Sequence, residues 1–165
     1  MLYRDEVIIV KSRDLGETDK IFMVFGKRRG KFSFVSKGVR RAESKKCGHL
    51  QTFNVCRISC ATGKSLDILT EVDSISALDS KLLTTDEFER LGFLSIVLDK
   101  FLPEDVPEPY VFDMVTQYLS GSLDEENTRF LLVGIIQTLG FGDEKQEKLS
   151  YDKLVLFVNK VLDRA

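Results

Sequence analysis

The heptapeptide KFSFVSK at residues 31–37 alternates polar and apolar side chains, the pattern of a β-strand with one face in a core. One face carries Phe32 and Phe34, and the other carries Lys31, Ser33, Val35 and Lys37. Gly30 and Gly38 flank the stretch and allow the chain to turn at both ends. We therefore expect one strand of a sheet here, with its partner strands in the flanking sequence.

Four further strands are predicted around this one. Before it, residues 7–10 form a β-branched run closed by a turn at 14–17, and residues 21–25 form a second run ended by Gly26. After it, residues 50–61 and 66–77 read as strands joined by a hairpin turn at 62–65. Five antiparallel strands predict a small closed barrel of the OB type. An SH3-like barrel and a β-sandwich are the alternatives.

Beyond the strands the apolar residues recur at helical spacing, which predicts four helices. Thr84 or Thr85 can cap the first, which stops near Pro103. The others begin at residues 107–109, at about residue 124 and after Ser150. The predicted fold class is therefore α+β: an all-β OB-fold barrel in residues 1–80, followed by an all-α helical bundle in residues 81–165.

The composition is that of a soluble globular protein, because 43% of the 165 residues are hydrophobic and 30% are charged. No apolar run approaches the roughly 18 residues of a membrane span, so no membrane partner is expected. Two acids, Asp5 and Glu6, interrupt the N-terminus where a signal peptide would be apolar. The three cysteines, an odd number, are expected to be free thiols, which favours a cytoplasmic location.

Charge is distributed unevenly along the chain. Residues 1–80 carry 15 Lys/Arg against 10 Asp/Glu, whereas residues 81–165 carry 9 against 16. Between residues 27 and 46 a single acid, Glu43, stands among nine cations. These cations are Lys27, Arg28, Arg29, Lys31, Lys37, Arg40, Arg41, Lys45 and Lys46. A solvated surface explains many such runs, but loops on a small barrel border its binding face and can follow a phosphate backbone.

Catalytic and metal-binding arrangements are not expected. Gly63-Lys64-Ser65 lacks the earlier glycine of a phosphate-binding loop and lies between two predicted strands, so a hairpin turn explains it. Cys56 and Cys60 would be roughly 13 Å apart on one strand, too far to share a zinc ion with Cys47 and His49. His49 is the only histidine. We therefore predict a protein that is not an enzyme and has no cofactor or metal.

Aromatic rings near the cations could stack on nucleic-acid bases, although a core position is the more common role of such rings. The candidates are Tyr3, Phe32, Phe34 and Phe53.

Several segments, taken in order, resemble one known family. They are residues 12–19, Gly30-Lys31, residues 35–41 with Ser44, residues 50–53 and residues 63–71. Together they resemble the N-terminal domain of the bacterial recombination mediator RecO, and residues 139–142 (LGFG) resemble the join in that family's helical domain. Many members carry a four-cysteine zinc hairpin after this join, whereas this chain has no cysteine beyond Cys60. A shortened, zinc-less member is therefore expected.

The resemblance implies an OB-fold DNA-binding domain in a repair protein without catalytic residues. Such proteins bind single- and double-stranded DNA, anneal strands, and work with RecR and single-stranded-DNA-binding protein to load recombinase. The resemblance implies that Lys31, Lys37, Arg40 and Arg41 contact DNA, because they lie in the matching segments. The other five cations are predicted DNA contacts only because of the local excess of positive charge. A protein-interaction adaptor and an RNA-binding barrel are the alternative functions.

Overall fold

The computed structural model describes residues 1–164, and its first part is a closed five-stranded barrel. The strands are β1 (Leu2–Leu15), β2 (Asp19–Gly26), β3 (Gly30–Ser36), β4 (Val55–Ala61) and β5 (Asp67–Ser76). They are ordered β1-β2-β3-β5-β4 around the barrel. Four of the pairs are antiparallel, as predicted, but β3 and β5 are parallel. The predicted OB-like barrel is confirmed, and the sandwich alternative is wrong.

Strand β1 is longer than the predicted residues 7–10 because it serves two neighbours. Its residues Leu2 to Ile8 pair with β4, and Val7 to Leu15 pair with β2. The register shifts between Ile9 and Lys11, where the strand passes from one neighbour to the other. The polar residues after Val10 are exposed yet paired, so the sequence shows no alternation there.

The interior of the barrel is apolar and includes both phenylalanines of the alternating stretch in β3. Phe34 stacks on Phe22 of β2 with ring centroids 5.7 Å apart. The buried cluster consists of Val7, Ile9, Phe22, Val24, Phe32, Phe34, Val39, Leu50, Cys56, Ile58, Cys60 and Leu69. Val39 and Leu50 belong to the long connection between β3 and β4, so they anchor that connection in the core.

Residues 50–54 do not form the start of β4, contrary to the prediction. Phe53 has a φ of 65°, which is incompatible with an extended strand. Its N–H donates to the Ile9 carbonyl at 2.7 Å, and the Ile9 N–H donates to the Asn54 carbonyl at 3.1 Å. The segment is therefore a turn fixed to β1, and the strand begins at Val55.

Four α-helices follow within the described residues: α1 (Thr85–Phe101), α2 (Pro109–Ser120), α3 (Glu125–Thr138) and α4 (Tyr151–Arg164). Single 3-10 turns occupy Ser80–Leu82 and Glu144–Lys148. Thr84 and Glu87 form a capping box at the start of α1, with side chain-to-backbone bonds of 3.1 and 3.2 Å. No helix in residues 1–164 is both long and apolar enough to span a membrane.

The segment Leu102–Pro109, which runs from the end of α1 to the first residue of α2, groups with Met1–Ser80 in one compact unit. Lys81–Phe101 and the residues from Tyr110 onward form a second unit. The Asp105 N–H donates to the Lys31 carbonyl at 2.9 Å, and Glu104 forms a parallel bridge with Lys31. These contacts extend the sheet beside the first residues of β3, at an edge that β5 leaves unpaired.

Candidate nucleic-acid interface

The nine predicted cations fall into two groups at opposite ends of β3. Lys27, Arg28 and Arg29 lie in the turn between β2 and β3, with Lys31 just inside the strand. The other five lie after Ser36, in the connection from β3 to β4. A seven-residue strand separates the groups by roughly 20 Å. The nine cations, which lie close together in the sequence, are therefore divided between two separate regions of the barrel.

At the β2–β3 turn, the buried carboxylate of Asp5 organises the backbone. It accepts hydrogen bonds from the N–H groups of Glu6 at 2.8 Å, Arg28 at 3.0 Å and Arg29 at 3.1 Å. Burial raises the pKa of Asp5, although these backbone donors act in the opposite direction. Asp5 thus fixes the backbone of the turn, while the side chains of Lys27 and Arg28 are exposed.

Arg29 is the centre of a polar network within the barrel unit. Its Nη1 donates to Asp67 Oδ2 at 2.7 Å and to the Tyr3 hydroxyl at 2.8 Å, and its Nε donates to Asp105 Oδ1 at 2.6 Å. The Tyr3 hydroxyl in turn donates to Asp67 Oδ2 at 2.6 Å. The guanidinium lies 4.3 Å from the ring centroid of Phe32. One side chain thus joins β1, the start of β5 and the segment Leu102–Pro109.

The hydrogen bonds of this network shift the pKa values of Arg29, Asp67 and Tyr3. Burial disfavours the charged form of Arg29, but its hydrogen bonds to Asp67 and Asp105 outweigh burial and raise its pKa. Burial likewise acts to raise the pKa of Asp67, but the hydrogen bonds from Tyr3, Arg29 and Gly63 prevail and lower it. Burial, reinforced by the bond to Asp67, raises the pKa of Tyr3. The pair of Arg29 and Asp67 is therefore fully ionised at neutral pH.

Lys31 is also directed toward an acid of the same unit. Its side chain is only 9% exposed, and its Nζ lies 3.8 Å from Glu104 Oε1. A phosphate could reach Lys31 or Arg29 only by competing with carboxylates already in place. Of the cations at this end of β3, Lys27 and Arg28 are the accessible ones.

At the opposite end of β3, the chain is fastened to the turn between β1 and β2. The Gly38 N–H donates to Asp19 Oδ1 at 2.7 Å, a bond that lowers the pKa of Asp19. The Arg40 N–H donates to the Thr18 carbonyl at 2.9 Å. Arg40 Nη1 donates to the Gly16 carbonyl at 2.8 Å. The connection from β3 therefore lies directly against the β1–β2 turn.

The β1–β2 hairpin and the β3–β4 connection fastened to it carry seven cations, and we call this region the basic end. It comprises Arg13, Lys20, Lys37, Arg40, Arg41, Lys45 and Lys46. Arg40 and Lys20 share the carboxylate of Asp14, at 3.4 and 3.9 Å. Within residues 1–164, no ion pair engages Lys37, Arg41, Lys45 or Lys46. These four cations are thus outside any salt bridge, although Lys37 and Arg41 lie near enough to the Asp19 carboxylate to contribute to its lowered pKa.

Sequence reasoning missed Arg13 and Lys20 because they lie outside the run of cations. The signal that could have found them is the register of the first hairpin. In that register Arg13 pairs with Ile21 and Asp14 pairs with Lys20, so both cations flank the turn that Arg40 contacts. A hairpin register centred on Gly16 predicts that Arg13 and Lys20 lie near the end of β3, beside Lys37.

The proposed stacking residues are mostly in the core. Phe32, Phe34 and Phe53 are at most 4% exposed, so their rings have no open face for a base. Tyr3 is half-buried and packs against the core, with its hydroxyl in the Arg29 network. The core interpretation of the three phenylalanines is therefore confirmed.

The Gly63-Lys64-Ser65 turn and the buried cysteines have structural roles in the barrel. Gly63-Lys64-Ser65 lies between antiparallel β4 and β5, and the Gly63 N–H donates to Asp67 Oδ1 at 3.2 Å. Burial raises the pKa of the Cys56 and Cys60 thiols to about 11. Among the residues described, no three His, Cys, Asp or Glu side chains cluster as metal ligands.

The geometry defines a class of protein: an OB-type β-barrel with cations concentrated at one end, followed by a helical unit. Comparison with known proteins narrows this class. Residues 1–78 match the family described as Recombination protein O N terminal. Residues 1–78 are thus identified as an N-terminal domain of the RecO family.

Curated relatives agree with this assignment. The DNA repair protein RecO of Thermobifida fusca (strain YX) is 42% identical over 83 residues, which are 50% of this chain and 34% of that protein. The protein of the same name from Nocardioides sp. is 35% identical over 106 residues, 64% of this chain and 43% of the relative. That of Pelotomaculum thermopropionicum is 25% identical over 142 residues, 86% of this chain and 49% of the relative. The chain thus spans less than half the length of each of these relatives.

Proposed function

We propose that this chain binds single- and double-stranded DNA through the basic end of its barrel, as a repair protein of the RecO type. The observation that carries the proposal is the gathering of seven cations on backbone held by Asp19, Val39 and Leu50. Because the backbone is fixed, the cations are positioned before DNA arrives, which lowers the entropy lost on binding.

The chemistry of the basic end favours phosphates over base edges. Lysine and arginine side chains on a loop neutralise the DNA backbone and release counterions, which gives affinity with little dependence on sequence. Four acids, Asp14, Glu17, Asp19 and Glu43, lie in the same segments, so the local balance is +3. Asp19 already accepts a hydrogen bond from the Gly38 N–H, and Asp14 already pairs with Lys20 and Arg40. The cations in no salt bridge remain for the ligand, namely Lys37, Arg41, Lys45 and Lys46.

Annealing follows from the same charge. Two complementary strands repel each other, and a cationic surface that shields both lets them approach and pair. No catalytic group is needed for this step. We further propose that the chain assists recombinase loading with RecR and single-stranded-DNA-binding protein as partners, a role that rests on the family.

The test is DNA binding and annealing by a variant with Arg41, Lys45 and Lys46 changed to alanine. We expect weaker binding to single-stranded DNA of any sequence and slower annealing of complementary strands. The charge-matched control changes Lys148, Lys153 and Lys160 of the helical unit to alanine and should leave both unchanged. Equal affinity of the first variant and the wild type would contradict the proposal, and preferential binding of matched RNA would replace DNA as the ligand.

A further inference from the structure

The segment Leu102–Pro109 lies against β3 with little backbone pairing. All three prolines of the chain are in this segment, at positions 103, 107 and 109, and proline has no N–H to donate to a neighbouring strand. Within residues 1–164, the only strand-type pairing of the segment is the bridge to Lys31, where the Asp105 N–H donates to the Lys31 carbonyl. Backbone hydrogen bonds therefore contribute little to holding the segment on the barrel.

Two carboxylates attach the segment to cations at the start of β3. Asp105 Oδ1 lies 2.6 Å from Arg29 Nε, and Glu104 Oε1 lies 3.8 Å from Lys31 Nζ. Both acidic side chains are open to solvent, with 57% of Asp105 and 68% of Glu104 exposed. Exposed ion pairs stabilise weakly and are screened by salt. Asp105 also has a φ of 55°, a region that few residues other than glycine adopt. The attachment is therefore weak enough to be reversible.

The two acids match only half of the cations at this turn. Four of the five residues 27–31 are cations, and Glu104 and Asp105 pair with the last two of them. Lys27 and Arg28 are exposed, and no salt bridge within residues 1–164 engages either, although Arg28 acts on the pKa of the buried Asp5 carboxyl. A DNA strand carries a phosphate at every nucleotide, so it can meet the exposed and the paired cations together. This favours a phosphate backbone over a second acidic peptide as the ligand of the turn.

We propose that the segment Leu102–Pro109 is a built-in competitor, which DNA displaces from the β2–β3 turn to gain a second contact region. The inference rests on the proposed function, which supplies the DNA. While the segment is docked, the basic end alone holds the DNA. After displacement, phosphates replace Glu104 and Asp105 at the turn and also meet Lys27 and Arg28. Arg29 keeps its bond to Asp67 in both states, so the barrel itself is retained.

Neutralising the two acids should strengthen DNA binding. The apparent affinity of a site that must first open is reduced by the fraction of molecules in which it is open. The variant with Glu104→Gln and Asp105→Asn should therefore bind oligo-dT about fivefold more tightly than the wild type, the scale of two exposed ion pairs. Its slope of log affinity against log salt should be steeper by up to about 1.4, the contribution of two further phosphates. Anisotropy titrations on the full chain measure both quantities.

Two further variants test whether the gain belongs to the turn. Glu108→Gln with Asp113→Asn removes the same charge from two nearby acids, neither of which forms a salt bridge within residues 1–164, and should leave the affinity close to that of the wild type. Adding Lys27→Ala and Arg28→Ala to the neutralised variant should remove most of its gain, because these cations belong to the second contact region. Both side chains are exposed, so the barrel should still fold.

Amide hydrogen exchange of the wild-type chain gives a measurement that needs no variant. The Asp105 N–H is bonded to the Lys31 carbonyl, so it is protected while the segment is docked. Saturating oligo-dT should speed the exchange of a peptide covering residues 102–109. The amides of β4, which is paired on both sides by β1 and β5, are the internal control and should exchange at an unchanged rate.

The outcomes separate this inference from the proposed function. If the wild type and the neutralised variant bind DNA with equal affinity and slope, or if DNA leaves the exchange of residues 102–109 unchanged, the competitor is wrong and the proposed function stands. A gain that survives the loss of Lys27 and Arg28 comes from overall charge and also overturns it. If a synthetic peptide of residues 102–109 speeds the exchange and DNA does not, the displacing ligand is an acidic protein segment. If neither chain binds DNA, both proposals fail.

Discussion

Arg29 Nη1 donates to Asp67 Oδ2 at 2.7 Å, and this bond joins the β2–β3 turn to the first residue of β5. The contact uses a cation that the sequence assigned to DNA binding. Its geometry, with Tyr3 and Asp105 as further partners, makes Arg29 part of the barrel's own structure.

Replacing Arg29 with alanine should lower the free energy of unfolding by about 1–3 kcal/mol, because two carboxylates lose charge-assisted hydrogen bonds. Arg29→Lys should recover less than half of the loss, since an ammonium cannot reach Asp67 and Asp105 with the same planar fork. Urea unfolding measures both. Arg28→Ala, in the same turn but exposed, is the control and should change stability by less than about 0.5 kcal/mol.

The pH dependence of stability should reveal the lowered pKa of Asp67. A carboxyl whose folded-state pKa lies below its unfolded value stabilises the fold above the unfolded value, about 4, and loses that contribution as the pH falls through the folded value. Asp67→Asn should therefore be less stable than the wild type at neutral pH, and the difference should shrink below about pH 4. A difference that stays constant on acidification would show that the charge of Asp67 contributes nothing.

Gly30 and Gly16 form a matched pair for testing how the segment Leu102–Pro109 packs. Both have positive φ, 86° and 63°, so alanine is strained at either position. A Cβ at Gly30 would also collide with the Val106 carbonyl, whereas at Gly16 it would meet open space. Gly16→Ala should cost about 1 kcal/mol, and Gly30→Ala should cost clearly more in thermal or urea unfolding. Equal costs would mean that the segment adapts freely to the barrel.

The salt dependence of DNA binding should change with the basic end. Each phosphate contact on a single strand contributes about −0.7 to the slope of log affinity against log salt. Removing the side chains of Arg41, Lys45 and Lys46 should flatten the slope by about 2 if each meets a phosphate. Anisotropy titrations over a range of salt concentrations give the slope, and the Lys148, Lys153 and Lys160 variant should reproduce the wild-type value.

The sequence predicted the barrel well because alternation is local. The pattern of residues 31–37 put Phe32 and Phe34 on one face, and both are in the core. The cap at Thr84, one of the two threonines predicted for it, and the start of a helix at about residue 124 were likewise predicted, since a cap depends on residues three positions away.

The distribution of the cations and the contacts of Arg29 depend on strand pairing and on residues distant in sequence, so local patterns could not predict them. The cations between residues 27 and 46 look continuous in the sequence. Because the run includes the whole of β3, its two halves lie at opposite ends of that strand. Arg13 and Lys20 join the basic end only through the register of the first hairpin. Asp105 reaches Arg29 from 76 positions away, and no local pattern indicates that contact.

The return of residues 102–109 to the barrel has a consequence for choosing fragments. A chain cut after Ser80 would contain every strand, yet Arg29 would keep only one of its two carboxylate partners and Lys31 would lose Glu104. Such a piece would display more positive charge than the whole chain does. Affinities for polyanions measured on the isolated strands would therefore be too high. A fragment used for such measurements must retain α1 and residues 102–109, which carry Glu104 and Asp105.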